Sequence, residues 1–476
     1  MRLSRTSVAL STVENVLRNA ISLASMAMLA RLLTPADYGE VVPIYFLMTL
    51  ASGIGDMGIG SAIIRHHDLG REAESTAFWL NLGLSLTVAS FVLVGTRVVL
   101  DDGSGNLSLY ALAAMIGVVT AASGSVHQSM MMRDGSFGRV LVLSSISSVA
   151  AAVVALLVAY RGGGAWALVA QVMTAGVVSG MGAWMVSSWR PLLVFRRDAL
   201  ARYVDFGLFL TLAGIVNAVY KHATGVLVLR TLGDTRAGYY SAADRLQNTA
   251  ADFIVGLSSR LVFIELSFSR SAGDAGKVFE FSLLAVSLMC AVVFVPVAIG
   301  AESVVGIIMG DQWDAAVPVL RILCVAGFMW PLEMVCQSLI KARGSLRGYF
   351  ILELFKRIMG FGVLLLATTQ SLTTAATAVA VLSVLFFLVN AVFATRLVGC
   401  GLRVLVPAGC MVLLFGAMAT VSTMILRSLM GGGMFSEILA LGVGAAIGVA
   451  AVVTVLRSRQ NHPASASLLR VLSRWR

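Results

Sequence analysis

Residues 29–42 read LARLLTPADYGEVV, and residues 228–241 read VLRTLGDTRAGYYS, a degenerate second copy. Arg31 answers Arg230, Leu33 answers Leu232 and Gly39 answers Gly238, every pair sharing the offset that separates 31 from 230, 199 positions. Each copy joins two long apolar segments through a short polar break. Within a chain of 476 residues this repeat predicts two homologous helical bundles.

The surrounding composition says what kind of bundle. The chain is 58% hydrophobic and 12% charged, with a mean hydropathy of +0.90. Apolar stretches of about 20 residues therefore recur, enough to cross a hydrocarbon core about 30 Å thick. The runs lack strict apolar/polar alternation, and lipid cannot satisfy an open backbone, so helices are favoured over a barrel. The reading is an all-α polytopic membrane protein. Candidate spans fall at 11–33, 40–64, 76–98, 108–131, 140–160, 165–187, 204–230, 239–263, 279–300, 315–340, 348–368, 372–395, 404–426 and 435–456. That makes about 14 transmembrane helices. The expected division is an amino-terminal lobe at 1–189, a basic linker at 190–202, a second lobe at 203–396, two further helices at 397–456 and a basic tail at 457–476.

An even count puts both termini on one side, and the distribution of Lys and Arg identifies it as the cytoplasmic one. That side collects 23 basic residues in loops and tail, against 6 on the other: Arg31, Arg97, Arg161, Arg230, Arg236 and Arg427. The net charge of +11 thus faces an anionic leaflet and does not call for nucleic acid. The tail fits either a surface-lying basic amphipathic helix or an unstructured orientation signal. Cys290, Cys324, Cys336, Cys400 and Cys410 are scattered without metal spacing or a disulfide framework, so they are read as small core hydrophobes. Neither a metal nor a cofactor is expected. No loop is long enough for a nucleotide-binding or catalytic domain, and Asp101 and Asp102 are read as a solvated turn.

Charges inside spans are the functional signals, because an ionised side chain at mid-bilayer costs about 2.5 to 3.5 kcal/mol. Glu14, Arg18, Ser22 and Ser25 recur at steps of four, four and three and share one face of the first helix. That stripe points either into a wet cavity or, if shallow, to the headgroups. Asn217, Lys221 and Thr224, with His222 beside them, make a similar stripe on the seventh helix, and the repeat offset aligns Arg18 with Asn217. Two basic groups on equivalent helices would bracket an anionic ligand. Asp56 and Asp252 are candidates for a coupling ion or proton, or for structural roles such as pairing Asp252 with Arg245. Glu333, Gln337 and Lys341, and likewise Glu353, Lys356 and Arg357, are read as intrahelical pairs. His127 is read as a hydrogen-bonded core histidine, and Asn81 and Asn390 as partners in interhelical bonds. Pro43, Pro296 and Pro331 fall within or at the edges of spans.

Four strings now carry a resemblance: LARLLTPADYGEVV, GDMGIGSAIIR at 55–65, STAFWLNLGL at 75–84 and MGDQWDAAVPVLRIL at 309–323. Together and in this order they resemble the oligosaccharide flippases, the Wzx-like polysaccharide-transport branch of the superfamily that includes the MATE exporters. The resemblance implies two pseudo-symmetric six-helix lobes plus two carboxy-terminal helices, working by alternating access in the bacterial inner membrane. It implies a substrate of undecaprenyl-diphosphate-linked oligosaccharide repeat units moved to the periplasmic leaflet. Its implied partners are membrane lipids, with a polysaccharide polymerase and glycosyltransferases nearby. Among the charged positions, Arg18 and Lys221 match the family's cationic cavity residues by helix and depth, with Glu14, Asn217 and Arg245 beside them. The competing classes are an ion-coupled MATE-type exporter, a membrane polymerase or glycosyltransferase, and a structural scaffold. A polymerase is expected to carry a long periplasmic loop, a glycosyltransferase a cytosolic nucleotide-sugar domain, and a scaffold no mid-membrane charge.

Overall fold

The computed structural model describes residues 5–56, 70–100, 106–268 and 272–430, with isolated positions at 59–63 and 442–450, and side chains over most of those stretches. The basic tail, most of the 435–456 span, Asp101, Asp102 and the side chain of Asp56 lie outside the described residues. Among the described residues every element is helical and no strand occurs. Nine segments there are long and apolar enough to cross a bilayer, from Gly70–Val98 to Leu402–Val421.

By contacts the chain forms two compact units: Met1–Ser241 with Phe350–Thr369, and Ala242–Tyr349 with Gln370–Arg476. The first unit opens with α1 (Arg5–Leu32), α2 (Pro35–Glu40) and α3 (Val42–Asp56). The break between α1 and α2 is a capping box. Thr34 Oγ1 accepts from the Asp37 amide at 3.3 Å, while Asp37 Oδ2 accepts from the Thr34 amide at 2.8 Å. Pro35 takes the first helical position, where it has no amide to lose. Pro43 is the second residue of α3, just past the break at Val41 that separates α3 from α2. Pro296 and Pro331 are inside helices.

The unit continues with α4 (Gly70–Gly95), which runs into a π turn at Thr96–Leu100, and then α5 (Asn106–Arg133), α6 (Phe137–Tyr160) and α7 (Trp166–Val186). α8 (Arg197–Leu232) ends on Gly233, whose φ of +86° suits glycine, and α9 (Asp234–Phe268) follows at once. The second sequence copy therefore makes the same helix–break–helix as the first, with Gly233 standing where Thr34 caps. The two breaks meet inside this unit, Gly39 against the backbone of Asp234 and Gly238 against that of Pro35.

The segment after α7 is extended and bound down along the start of α4. Ser75 Oγ accepts from the Leu192 amide at 2.9 Å, and Thr76 Oγ1 from the Arg196 amide at 3.0 Å. The Leu192 carbonyl in turn accepts from Trp79 Nε1 at 2.8 Å. Beneath this strap the buried Glu74 accepts from Arg133 Nη1 at 2.6 Å and from Trp189 Nε1 at 3.0 Å. His127 packs here among Phe78, Trp184 and Trp189, fully buried. The expected hydrogen bond is not made: among the described residues neither ring nitrogen has a partner, and three aromatic rings pack against the imidazole.

The second unit contains α10 (Ala272–Ile299), α11 (Ala301–Ile308), α12 (Val317–Arg343), α14 (Leu372–Val398) and α15 (Leu405–Met430). α13 (Leu346–Thr368) has its residues from Phe350 onward in the first unit, where it runs beside α8. There the Thr368 carbonyl accepts from Thr231 Oγ1 at 2.9 Å. α1 and α13 reach spanning length at 28 and 23 residues, but each carries charges inside its run, which marks them as helices with a polar face.

Candidate functional site

In the first unit, glycines let helices approach closely enough to enclose a space. A Cβ on Gly117 of α5 would stand 2.9 Å from Met173 Cα of α7, and one on Gly124 would stand 2.7 Å from Gly180 Cα. Gly176 and Gly180 form a G-x-x-x-G face on α7, the pattern by which membrane helices bring backbones together. α6 is joined to α7 by a second device, the Ser147 hydroxyl donating to the Ala175 carbonyl at 2.8 Å. α1 is tied in by Gln171 Nε2, which donates to Ser25 Oγ at 2.7 Å.

Between these helices is a cavity of about 400 Å³. Glu14 and Arg18 of α1 line it, with Ser52 of α3, Gln128 of α5, Ser144, Ser147 and Ser148 of α6, and Ser179 of α7. A smaller hollow of about 260 Å³ shares Ser52, Gln128 and Ser179 with it and adds Asn81, Ser85 and Ser125. The serines have a common disposition. Ser144, Ser148, Ser179 and Ser125 each donate to a carbonyl of their own helix, at 2.8 to 3.2 Å. Their hydrogens are thereby engaged and their lone pairs remain to accept. Asn81 Nδ2 donates to Ser125 Oγ at 3.2 Å, the interhelical bond expected of Asn81, while Asn81 Oδ1 and Ser85 Oγ are buried without a partner among the described residues. The wall thus sets a guanidinium, a carboxyl and hydroxyl acceptors among apolar residues such as Met48, Val118, Met132 and Val172, an amphipathic lining that offers polar groups to a headgroup and apolar surface beside them.

The remaining candidates are placed elsewhere. Asn217 and Lys221 are half-buried on α8 and do not line this cavity. Asn217 Oδ1 accepts from Arg357 Nε of α13 at 2.7 Å, and the Arg357 guanidinium lies 4.8 Å from the centre of the Tyr220 ring. Arg357 belongs to a buried ion cluster. Glu353 Oε1 is 2.6 Å from Lys356 Nζ and Oε2 is 3.4 Å from Arg357 Nη2, with the Glu353 side chain fully buried. The intrahelical pairing expected of these three residues is present. What the spacing could not reveal is the bond from Arg357 to a residue 140 positions away.

Within the second unit, Arg245 is half-buried and Asp252 exposed on α9. Glu333 Oε1 accepts from Gln337 Nε2 at 3.2 Å and from Asn390 Nδ2 of α14 at 3.0 Å. Gln337 Oε1 then accepts from the Tyr349 hydroxyl at 3.0 Å. The Glu333 series is therefore a buried interhelical knot as well as an intrahelical one. Asn390 makes the cross-helix bond its position suggested. The serine wall was missed because a hydroxyl in an apolar run reads equally well as packing.

The sequence pattern of the polysaccharide biosynthesis protein family matches residues 28–318. The chain belongs to this family. This polysaccharide biosynthesis protein is 26% identical over 313 residues to the succinoglycan biosynthesis transport protein ExoT of Rhizobium meliloti, covering 64% of this chain and 63% of ExoT. It is 22% identical over 361 residues to the lipopolysaccharide biosynthesis protein WzxC of Escherichia coli, covering 73% and 72% respectively. Its fold is similar to that of the lipid II flippase MurJ in an inward closed conformation, with a TM-score of 0.73 at 9% identity, over 94% of this chain and 99% of that one. It is also similar to an inward-facing multidrug resistance MATE family transporter, with a TM-score of 0.63 at 15% identity, over 83% and 99%. At such identities the likeness is one of fold.

Proposed function

We propose that this polysaccharide biosynthesis protein is a non-catalytic flippase that moves undecaprenyl-diphosphate-linked oligosaccharide repeat units across the bacterial inner membrane, from the cytoplasmic to the periplasmic leaflet. In this reading both termini are cytoplasmic and two lobes, 1–189 and 203–396, alternate access. The observation that carries it is a 400 Å³ cavity lined by Arg18, Glu14 and serine hydroxyls in a helical unit whose outer faces are apolar. The family match and the transport function printed for ExoT support it.

A diphosphate cannot enter hydrocarbon without losing its hydration, so a cation on the route, here Arg18, lowers the barrier. Arg18, which lines the cavity, is the group assigned to the diphosphate; Lys221, Asn217 and Arg245, which do not line it, are proposed as substrate contacts elsewhere on the route. The serine lone pairs are suited to sugar hydroxyls. Outward movement of two negative charges across an inside-negative membrane gains about 2.3 kcal/mol per charge at 100 mV. Asp56 and Asp252 remain the candidates for any coupling ion.

The test is a deletion strain in which surface polysaccharide and the leaflet location of lipid-linked repeat units are measured. Cytoplasm-facing repeat units accumulate, wild type restores export, and Arg18→Ala at normal abundance lowers export about tenfold, the worth of one lost charge-assisted contact. Unchanged surface polysaccharide in a strain without a redundant flippase, together with efflux of cationic dyes, overturns the proposal in favour of a drug exporter.

A further inference from the structure

α6 has two different faces. Ser144, Ser147 and Ser148 look into the cavity that holds Arg18, whereas Val142 and Ile146 look outward, 56% and 55% exposed. On that outer side α6 and α7 frame a groove of about 700 Å³. Apart from one residue its lining is glycine, valine, leucine, isoleucine and methionine, with Met181 and Met185 of α7 among the exposed members. The exception is Arg139, at the end of the groove where α6 begins.

Two features say what fills it. The first is charge. Nearby, Asp134 and Glu74 both lie against Arg133, at 3.8 and 2.6 Å. The exposed Arg139 guanidinium has no hydrogen bond or ion pair among the described residues. A guanidinium at the rim of an apolar surface, at the depth where a spanning helix enters the membrane, complements a phosphate. The second is length. From Arg139 to Ile146 the groove follows two turns of α6, about 11 Å at 1.5 Å per residue. That is most of one leaflet's share, roughly 15 Å, of a 30 Å hydrocarbon core. A chain standing in a single leaflet fits this run, and a polyprenyl tail several times longer does not.

We propose that the α6–α7 groove is a binding site for an anionic phospholipid of the surrounding membrane, its phosphate on Arg139 and one acyl chain along Val142, Ile146 and Met181. This assignment does not depend on which cargo the protein carries, so its failure and that of the flippase reading are separable.

The experiment purifies the full chain from membranes in mild detergent and counts retained phosphatidylglycerol and phosphatidylethanolamine by native mass spectrometry. Arg139→Ala lowers retained phosphatidylglycerol about fivefold, the worth of one basic residue at an anionic surface. Arg139→Lys keeps most of it. Met181→Trp, which fills the groove from a lipid-facing position without touching the charge, also displaces the lipid, whereas Arg161→Ala at the opposite end of α6 does not. Equal phosphatidylglycerol in wild type, Arg139→Ala and Met181→Trp overturns the proposal. So does displacement of phosphatidylglycerol by added polyprenyl phosphate at equal concentration, which would assign the groove to the longer lipid.

Discussion

Gly39 and Gly238 hold reciprocal places in one contact. A Cβ on Gly39 would stand 2.6 Å from the Asp234 carbonyl carbon, and a Cβ on Gly238 would stand 2.6 Å from the Pro35 carbonyl carbon. Pro35 and Asp234 are themselves repeat equivalents, each the first residue of its helix. The contact is therefore self-complementary, the arrangement a two-fold operation produces when the same patch meets itself. A degenerate repeat in the sequence has become a local pseudo-symmetric joint of backbone on backbone.

From this joint, Gly39→Ala and Gly238→Ala are each expected to destabilise by about 1–3 kcal/mol, the cost of forcing a methyl into filled space. Because either methyl opens the same contact, the double variant is expected to cost less than the two together. Thermal unfolding in detergent measures all three. Additive losses would show that the two glycines act independently.

The ion cluster on α13 gives a second expectation. Glu353→Gln leaves Lys356 and Arg357 buried with one carboxylate fewer, and the loss is expected to be about 3–5 kcal/mol, read as a lowered melting temperature and reduced membrane abundance. Asn217→Leu removes only the acceptor for Arg357 Nε and is expected to cost about 1–3 kcal/mol.

The cavity depends on the approach of α5 to α7. Gly180→Leu drives a branched side chain against α5 where even a Cβ meets backbone, and is expected to lower both stability and export. Ser148→Ala removes one hydroxyl from the wall and leaves the packing intact. It is expected to be nearly neutral for folding, so any effect on export reports the lining itself.

Glu74 holds both Arg133 and Trp189. Glu74→Ala is expected to cost about 3 kcal/mol through the stranded arginine, and Trp189→Phe about 1 kcal/mol through the lost indole bond. A larger loss for Trp189→Phe would mean that packing around the indole, rather than its donor, fixes the segment.

Helical class and most span positions were legible because period and length of apolar runs are local properties. The two breaks were visible as short polar interruptions of apolar runs, but the capping box of Thr34 and Asp37 and the positive φ of Gly233 emerge only from the structure. On α1 the four-residue step of Glu14 and Arg18 shows a shared face, which is also a local matter. The serines of α6 and α7 gave no comparable signal, since small residues in apolar helices serve close packing as often as polarity. Arg357 was read from its own helix, where Glu353 is a sufficient partner. Nothing at that spacing indicates Asn217, because a cross-helix bond depends on the rotation of two helices about their axes. His127 shows the converse: burial was foreseeable, but the indole donors of Trp184 and Trp189 that pack against its ring are spent on the Ser123 carbonyl and Glu74.

The strap along α4 has a mechanical meaning. Its amides at Leu192 and Arg196 are fixed to Ser75 and Thr76, and α8 begins at the next residue, Arg197. The passage from α7 to α8 consequently has no slack. Any pull on the first turn of α8 is transmitted within one residue to the amino-terminal end of α4, so a stretch that looks like a loose tether in sequence transmits tension as a short, inextensible link.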